Sequence, residues 1–507
     1  MLKLFSSRPD HLLGEGKEVK RVLADLPTDN AFKAVDEIYG WLESLQNADD
    51  FRVDHLFDVV RQLDEAAQPH FRRIARDYLQ SPRLTKSDER RMWTLCYNYC
   101  GEVAGRYARI VERAQLNPKE RGSEALKASL PLAATRLMAA RAAQLKWVKY
   151  RYGPVGEDLW RGLGRPFLAA EAAAYAQKPV QLYPGQSELT SVTQQYLQAL
   201  IFCASSMDSL MPLEIELADR LIVRFRSGFV FSADCQPGSV YWVDAASGSP
   251  PARLARAPEQ PAPTQRFFSP GSVPQALNEL LRVVERGEVP ADLNLGGEYY
   301  AKVLLPVLRH LALYWAADPP QREHPRHAVK TRIAVLCGFD DCFTVFAGEI
   351  ARLGKERTAA SWVVENVSIG GFGAGVDALD EWLKIATLLS MQPEGGENWV
   401  LGVVRRYSKN ADGHASVGIQ TLSRQPQSVD LRPRSAGFSA TGAIPGIWLR
   451  DGDAEGEARM VMPAGSFDVR VSLEFAHAGE RYLLIPIELE KIGRTLEIGR
   501  YRQQLSS

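Results

Sequence analysis

Hydrophobic periodicity changes for good near residue 318, and that change constrains the fold more than any other feature of the chain. Before it, apolar residues recur at three and four positions, as one face of a helix requires. Val19, Val22, Leu23 and Leu26 follow this rule, and so do Phe32, Val35, Ile38, Tyr39 and Leu42. Asp50 is placed to cap a helix running through Val53, Leu56, Val59, Val60 and Leu63. Ser87 is placed to cap another through Trp93, Cys96, Tyr97, Cys100, Val103 and Tyr107. An Ala-rich helix is expected over 123–150, and further helices over 156–177, 187–210, 273–284 and 299–315. Within this helical part, Leu221, Val223 and Phe225, then Phe229 and Phe231, then Val240, Trp242 and Val243 suggest short strands of a small sheet. The stretch 247–272, rich in Pro, Ala, Ser and Gln, reads as a long loop or linker.

Beyond Asp318-Pro319-Pro320 the pattern alternates with period two, through 333–336, 343–346, 362–367, 399–404, 417–419, 469–475, 482–487 and 496–498. That many short strands would expose many edges, so a closed barrel is expected. The fold class is therefore α+β multidomain: a helical N-terminal region with a small inserted sheet, then a six-stranded β-barrel and a further small β unit. The expected divisions are 1–155, 156–318, 319–428 and 429–507.

Lys plus Arg and Asp plus Glu are both 61, so the formal net charge is zero. A binder of nucleic acid polymers would carry a basic surplus, and none is expected here. Six scattered cysteines form no C-x-x-C pair and read as free, buried thiols of a cytoplasmic protein. Residues 1–17 lack the apolar core of a signal peptide. The most apolar stretch, 303–317, is interrupted by Arg309 and His310 and is shorter than the ~20 residues a span needs, so no membrane insertion is expected. The eight histidines show no ligand spacing, and there is no nucleophile elbow or phosphate-binding loop. The sequence therefore predicts a binding protein rather than an enzyme, with no metal or cofactor.

Two short patterns stand at the start of the β region. Arg322-Glu-His-Pro-Arg326 is an R-x-x-x-R. The same spacing occurs at Arg72/Arg76, Arg109/Arg113, Arg161/Arg165, Arg220/Arg224 and Arg282/Arg286, four of them in helical patterns. Only Arg322/Arg326 lies on an extended segment, where Pro325 excludes a helix. Two guanidinium forks there can converge on one anion and stack on aromatic rings. The second pattern, Asn366-Val-Ser368-Ile-Gly-Gly371, occurs once. Its Asn and Ser can read a base edge, and Gly370, Gly371, Gly373 and Gly375 allow close approach. The same residues would also suit a Gly-rich turn whose Asn and Ser merely satisfy backbone groups.

The order of these two patterns, with the strands at 399–406 and 417–420 that follow, resembles the PilZ domain over about residues 320–425. The resemblance implies a six-stranded barrel that binds cyclic di-GMP. Arg322 and Arg326 would clamp phosphates and stack on guanine. Asn366, Ser368 and Gly371 would contact the other guanine. Two departures stand out: a long gap of 327–365 between the motifs, and Gln321 where an extra arginine often accompanies a stacked ligand dimer. The implied function is a cyclic di-GMP receptor that signals to an unidentified protein partner through the helical region. The alternative is a degenerate PilZ protein serving as a ligand-independent scaffold.

Overall fold

The computed structural model describes residues 10–81, 84–319, 325–352, 359–376, 383–410, 412, 414–434, 442–451, 456–492 and 496–505. The chain divides between residues 320 and 321 into two units. Among the described residues no helix is long and apolar enough to cross a membrane.

The first unit is helical where the three-and-four spacing demands it. Its longer helices include Val53–Gln80, Lys86–Leu116, Leu130–Tyr150, Glu157–Ala172 and Pro212–Phe225. Their apolar faces join one core that runs in sequence from Leu13 to Trp315. Caps fall close to the expected places without coinciding with them. Thr85, not Ser87, accepts the Asp88 amide at 3.1 Å and starts the 86–116 helix. Asp50 accepts the Asp10 amide at 2.7 Å instead, and the next helix begins at Val53.

Charges buried between these helices are matched in pairs and networks. Asp64 is fully buried and accepts hydroxyl hydrogens from Tyr99 at 2.9 Å, Tyr107 at 3.1 Å and Tyr183 at 3.2 Å. Burial pushes its carboxyl up, although the Arg136 guanidinium stands 3.7 Å away. Arg136 also donates to Glu65 at 2.7 Å and to the Leu182 carbonyl at 2.9 Å. A second network centres on Lys146, whose ammonium reaches Glu216 at 2.7 Å and Asp219 at 2.8 Å. Tyr150 donates to the same Glu216 carboxylate at 2.7 Å. Burial alone would raise that carboxyl, but Lys146 and Arg220 outweigh it and hold it down to about 2.

Two further expectations for this unit are corrected. Leu221, Val223 and Phe225 are helical, not a strand, because Ile215, Ala218, Ile222 and Phe225 bury one helical face. The small sheet exists without them: Val230–Ser232, Gln265–Ser269, Tyr241–Asp244 and Ala252–Arg253 pair in that order. The 247–272 stretch is therefore not a plain linker. Its Gln265–Ser269 strand is internal to the sheet, with Phe267 and Phe268 buried and Arg266 ion-paired to Glu171. Flanking prolines hid five strand residues.

The second unit consists of two closed six-stranded barrels. The first contains β1 (His327–Cys337), β2 (Ala360–Ser368), β3 (Gly371–Val376), β4 (Leu388–Pro393), β5 (Val400–Lys409) and β6 (Ala415–Ser423). The second contains β7 (Pro426–Pro433), β8 (Ile444–Leu449), β9 (Glu457–Pro463), β10 (Leu473–His477), β11 (Glu480–Ile492) and β12 (Leu496–Leu505). Their strand orders are β1-β2-β3-β6-β5-β4 and β7-β8-β9-β12-β11-β10, which is one topology used twice. The further small β unit expected from the sequence is thus a complete barrel.

Residues 343–346, expected as a strand, belong to a helix, Phe339–Phe346. Cys342, Val345 and Phe346 are its buried positions, a three-and-four spacing that four residues of alternation had masked. They pack with Leu336, Leu388 and Leu401 of the first barrel and with Ile447, Leu449 and Val461 of the second. Ser428 and Gln427 of β7 donate to its Phe343 and Phe346 carbonyls at 2.6 and 3.1 Å. At the junction between barrels, the Asp451 carboxylate accepts the Ser423 hydroxyl and the amides of Arg424 and Gln425.

Holding the Glu216 carboxyl at about 2 instead of 4.5 corresponds to about 3 kcal/mol of stability at neutral pH. Because the folded-state value is depressed, that contribution is complete above pH ~4.5 and is lost as pH falls through ~2. Glu216→Gln is expected to lower protection of residues 130–150 and 212–225 in hydrogen exchange at pH 6. By pH 3 the gap to wild type should shrink to less than half. A gap that does not change with pH would contradict this assignment.

Candidate functional site

The R-x-x-x-R pattern is reached by the structure only in part. Arg322 lies outside the described residues, whereas Arg326 is exposed and immediately precedes β1. His327 pairs with Val367 and Ala328 with Asn366. That register puts Arg326 at the β2–β3 hairpin end of the barrel, beside the second pattern. The hairpin itself carries Asn366 and Ser368 at the end of β2 and Gly371 at the start of β3.

The hairpin is held by several contacts. Ser368 donates its hydroxyl to the Gly371 carbonyl at 3.1 Å. The Thr421 amide donates to the Gly370 carbonyl at 3.1 Å, which fastens the tip to the end of β6. Arg424 donates to the Ile369 carbonyl at 3.4 Å from the far side of the same turn. Ile369 at the tip is 73% exposed. A Cβ at Gly371 would collide with the Ile419 carbonyl of β6, so glycine is required there for the strands to close.

Between Val364 and Asn366 the β2–β3 register shifts, leaving Glu365 as the extra residue. The bulge turns Asn366 toward the outer face of the barrel, opposite Gly373. Ala374 and Val376 of β3 and Val417 and Ile419 of β6 are buried in the core. Alternation therefore places Gly371, Gly373, Gly375 and Gly418 on the outer face. One row of pairs crosses this face: Asn366 with Gly373, Gly373 with Gly418, and Gly418 with Arg406. Three strand spacings of about 4.8 Å make a floor of roughly 14 Å whose two middle positions are glycines, Gly373 beneath the Asn366 carboxamide and Gly418 beside the Arg406 stem.

Asn366 lies down on this floor. A Cβ at Gly373 would come within 2.8 Å of its Nδ2 and 2.9 Å of its Oδ1. Its Oδ1 is buried and has no hydrogen-bond partner among the described residues. A buried carboxamide oxygen without a donor costs free energy, and a ligand N–H would satisfy it. Chemically, the arrangement offers a flat glycine floor for a planar ring, an orphan acceptor, and an exposed guanidinium at one end. The structure brings Arg326, Asn366, Ser368 and Gly371 to one end of one barrel. Gly418 escaped the sequence reading, and Gly373 was expected only to allow close approach, because the row they form depends on strand register, which neither motif encodes.

Elsewhere, Cys96 and Cys100 are buried, and burial pushes both thiols up. Among the described residues, no cluster of His, Cys, Asp and Glu could hold a metal ion.

No curated protein matches the chain. Residues 17–234, all within the helical unit, match the family model described as the N-terminal domain of the cyclic-di-GMP receptor FimW.

Proposed function

We propose that the chain is a cyclic di-GMP receptor whose ligand binds on the glycine floor of the first barrel. The observation that carries this reading is the buried, partnerless Oδ1 of Asn366 set over Gly373 at the hairpin end where Arg326 enters. Guanine carries N–H donors on one edge, which suits that acceptor. Its ring is flat, which suits the glycine surface beside the Asn366 carboxamide. The phosphodiesters are anionic, which suits arginine forks. In this reading Arg322 and Arg326 hold the phosphates and stack on one guanine, and Asn366, Ser368 and Gly371 contact the other. The match of residues 17–234 to a cyclic-di-GMP receptor family supports the same ligand from a different part of the chain.

The role is binding and relay, not catalysis. Residues 319–428 act as the sensing module. The helical region, divided as 1–155 and 156–318, carries the response to a protein partner. Residues 429–507, with the start of β7 at Pro426, form the barrel that accompanies the sensor. The messenger places the protein in a bacterial cytoplasm.

Calorimetry with cyclic di-GMP and the full chain tests the ligand. Wild type is expected to bind, and Arg326→Ala and Asn366→Ala to weaken binding by about ten- to a hundredfold, the worth of a hydrogen bond to a charged or buried group. Absence of heat at micromolar concentrations of folded wild type would overturn the reading.

Gly373→Ala tests the floor. Its added Cβ displaces the Asn366 carboxamide, so binding is expected to fall at least about tenfold, with a thermal midpoint within a few degrees of wild type. Unchanged affinity would show that Asn366 does not act from this position.

A further inference from the structure

The register that brings Asn366 to Gly373 continues beyond the two motifs. On β5, Val404 pairs with Ile419 and Arg406 with Gly418, so Arg405 is an extra residue without an opposite number. Bulges re-aim side chains, and this one directs the Arg405 Nε to Gln420 Oε1 at 2.6 Å. Gln420 is exposed on β6 and pairs with Gly371, the last residue of the Asn/Ser/Gly pattern. The Arg405–Gln420 pair therefore borders the glycine floor on the side away from Asn366.

Arg405 is held unlike most buried arginines of the chain. In the helical unit Arg136 has Glu65, Arg113 has Glu120, Arg226 has Glu188 and Arg266 has Glu171, and Arg141, which donates to the Gln144 carboxamide, is the exception. Arg405 is half-buried, and its hydrogen bond goes to a neutral amide. Burial pulls its pKa down to about 10, with no carboxylate counteracting it. A cation removed from water without a counter-ion is costly, and an anion delivered by a ligand removes that cost. Because Gln420 occupies the Nε, the two terminal nitrogens of the fork remain for that anion.

We propose that Arg405 and Gln420 form a second wall of the ligand groove, with the Arg405 guanidinium taking a phosphodiester oxygen of the bound dinucleotide. This rests on the reading of the floor as the cyclic di-GMP site and adds a residue pair that lies in neither motif. Gln420 is the positioning residue: its carboxamide fixes the orientation of the fork.

The test is calorimetry of the full chain with cyclic di-GMP at low and high salt, with thermal melts in parallel. Arg405→Ala is expected to weaken binding at least about tenfold, the loss of one charge-assisted contact, and to flatten its dependence on salt. Gln420→Glu supplies Arg405 with an internal counter-ion. It is expected to leave the melting point equal or higher while also weakening binding. If wild type binds and both variants bind within twofold of it, the second wall is refuted and the floor stands. If Arg405→Ala weakens binding with the salt dependence unchanged, or if Gln420→Glu binds as well as wild type, the phosphodiester role is refuted. If wild type itself does not bind, the reading of the floor fails first.

Discussion

The approach of β3 to β6 at Gly371 is the constraint on which the first barrel and its outer groove depend. The Ile419 carbonyl occupies the space a Cβ would need. With glycine there, the two strands close and the hairpin tip is fastened by the Thr421 amide. From that contact the register runs on to Gly373 and Gly418, the side-chain-free positions that let Asn366 lie flat. The residues of the Asn/Ser/Gly pattern thus shape this end of the barrel. Gly371 builds the floor, Ser368 ties the turn, and Asn366 is left with an acceptor to satisfy.

The largest charge networks lie in the helical unit. The helical unit matches its buried charges internally, as Asp64 with its tyrosines and Lys146 with Glu216 and Asp219 illustrate. Such networks are costly to break and fix helix against helix. At the outer face of the first barrel the matching is incomplete: Asn366 Oδ1 lacks a donor and Arg405 has only an amide. An acceptor without a donor and a cation without a carboxylate, on one outer face, are groups from which a ligand gains by binding.

Much of this was legible in the sequence. The change of periodicity near 318 located the helical and barrel parts, and the Asn366–Gly371 pattern located the hairpin. The failures have physical causes. Four residues of alternation at 343–346 look the same in a strand and on a short helix, and packing between two barrels decided for the helix. Leu221, Val223 and Phe225 alternate as well, but the wider spacing from Ile215 to Phe225 governs. Strands framed by prolines, such as Gln265–Ser269, disappear into a linker composition. Arg405 was invisible because a bulge is a property of two paired strands, and the row joining Asn366 to Arg406 is a property of four.

The twofold use of one strand order has its own consequence. Each of the twelve strands has a neighbour on both sides, although β7 and β10 meet over only two residue pairs. Among the described residues, capture of a partner's extended segment as an added strand, a common way for β proteins to recruit others, finds no wholly unpaired strand in this unit. Recognition there can proceed through strand faces, hairpin tips such as the one bearing Ile369, and the junction where Asp451 holds the backbone of Arg424 while the Arg424 side chain reaches the Ile369 carbonyl.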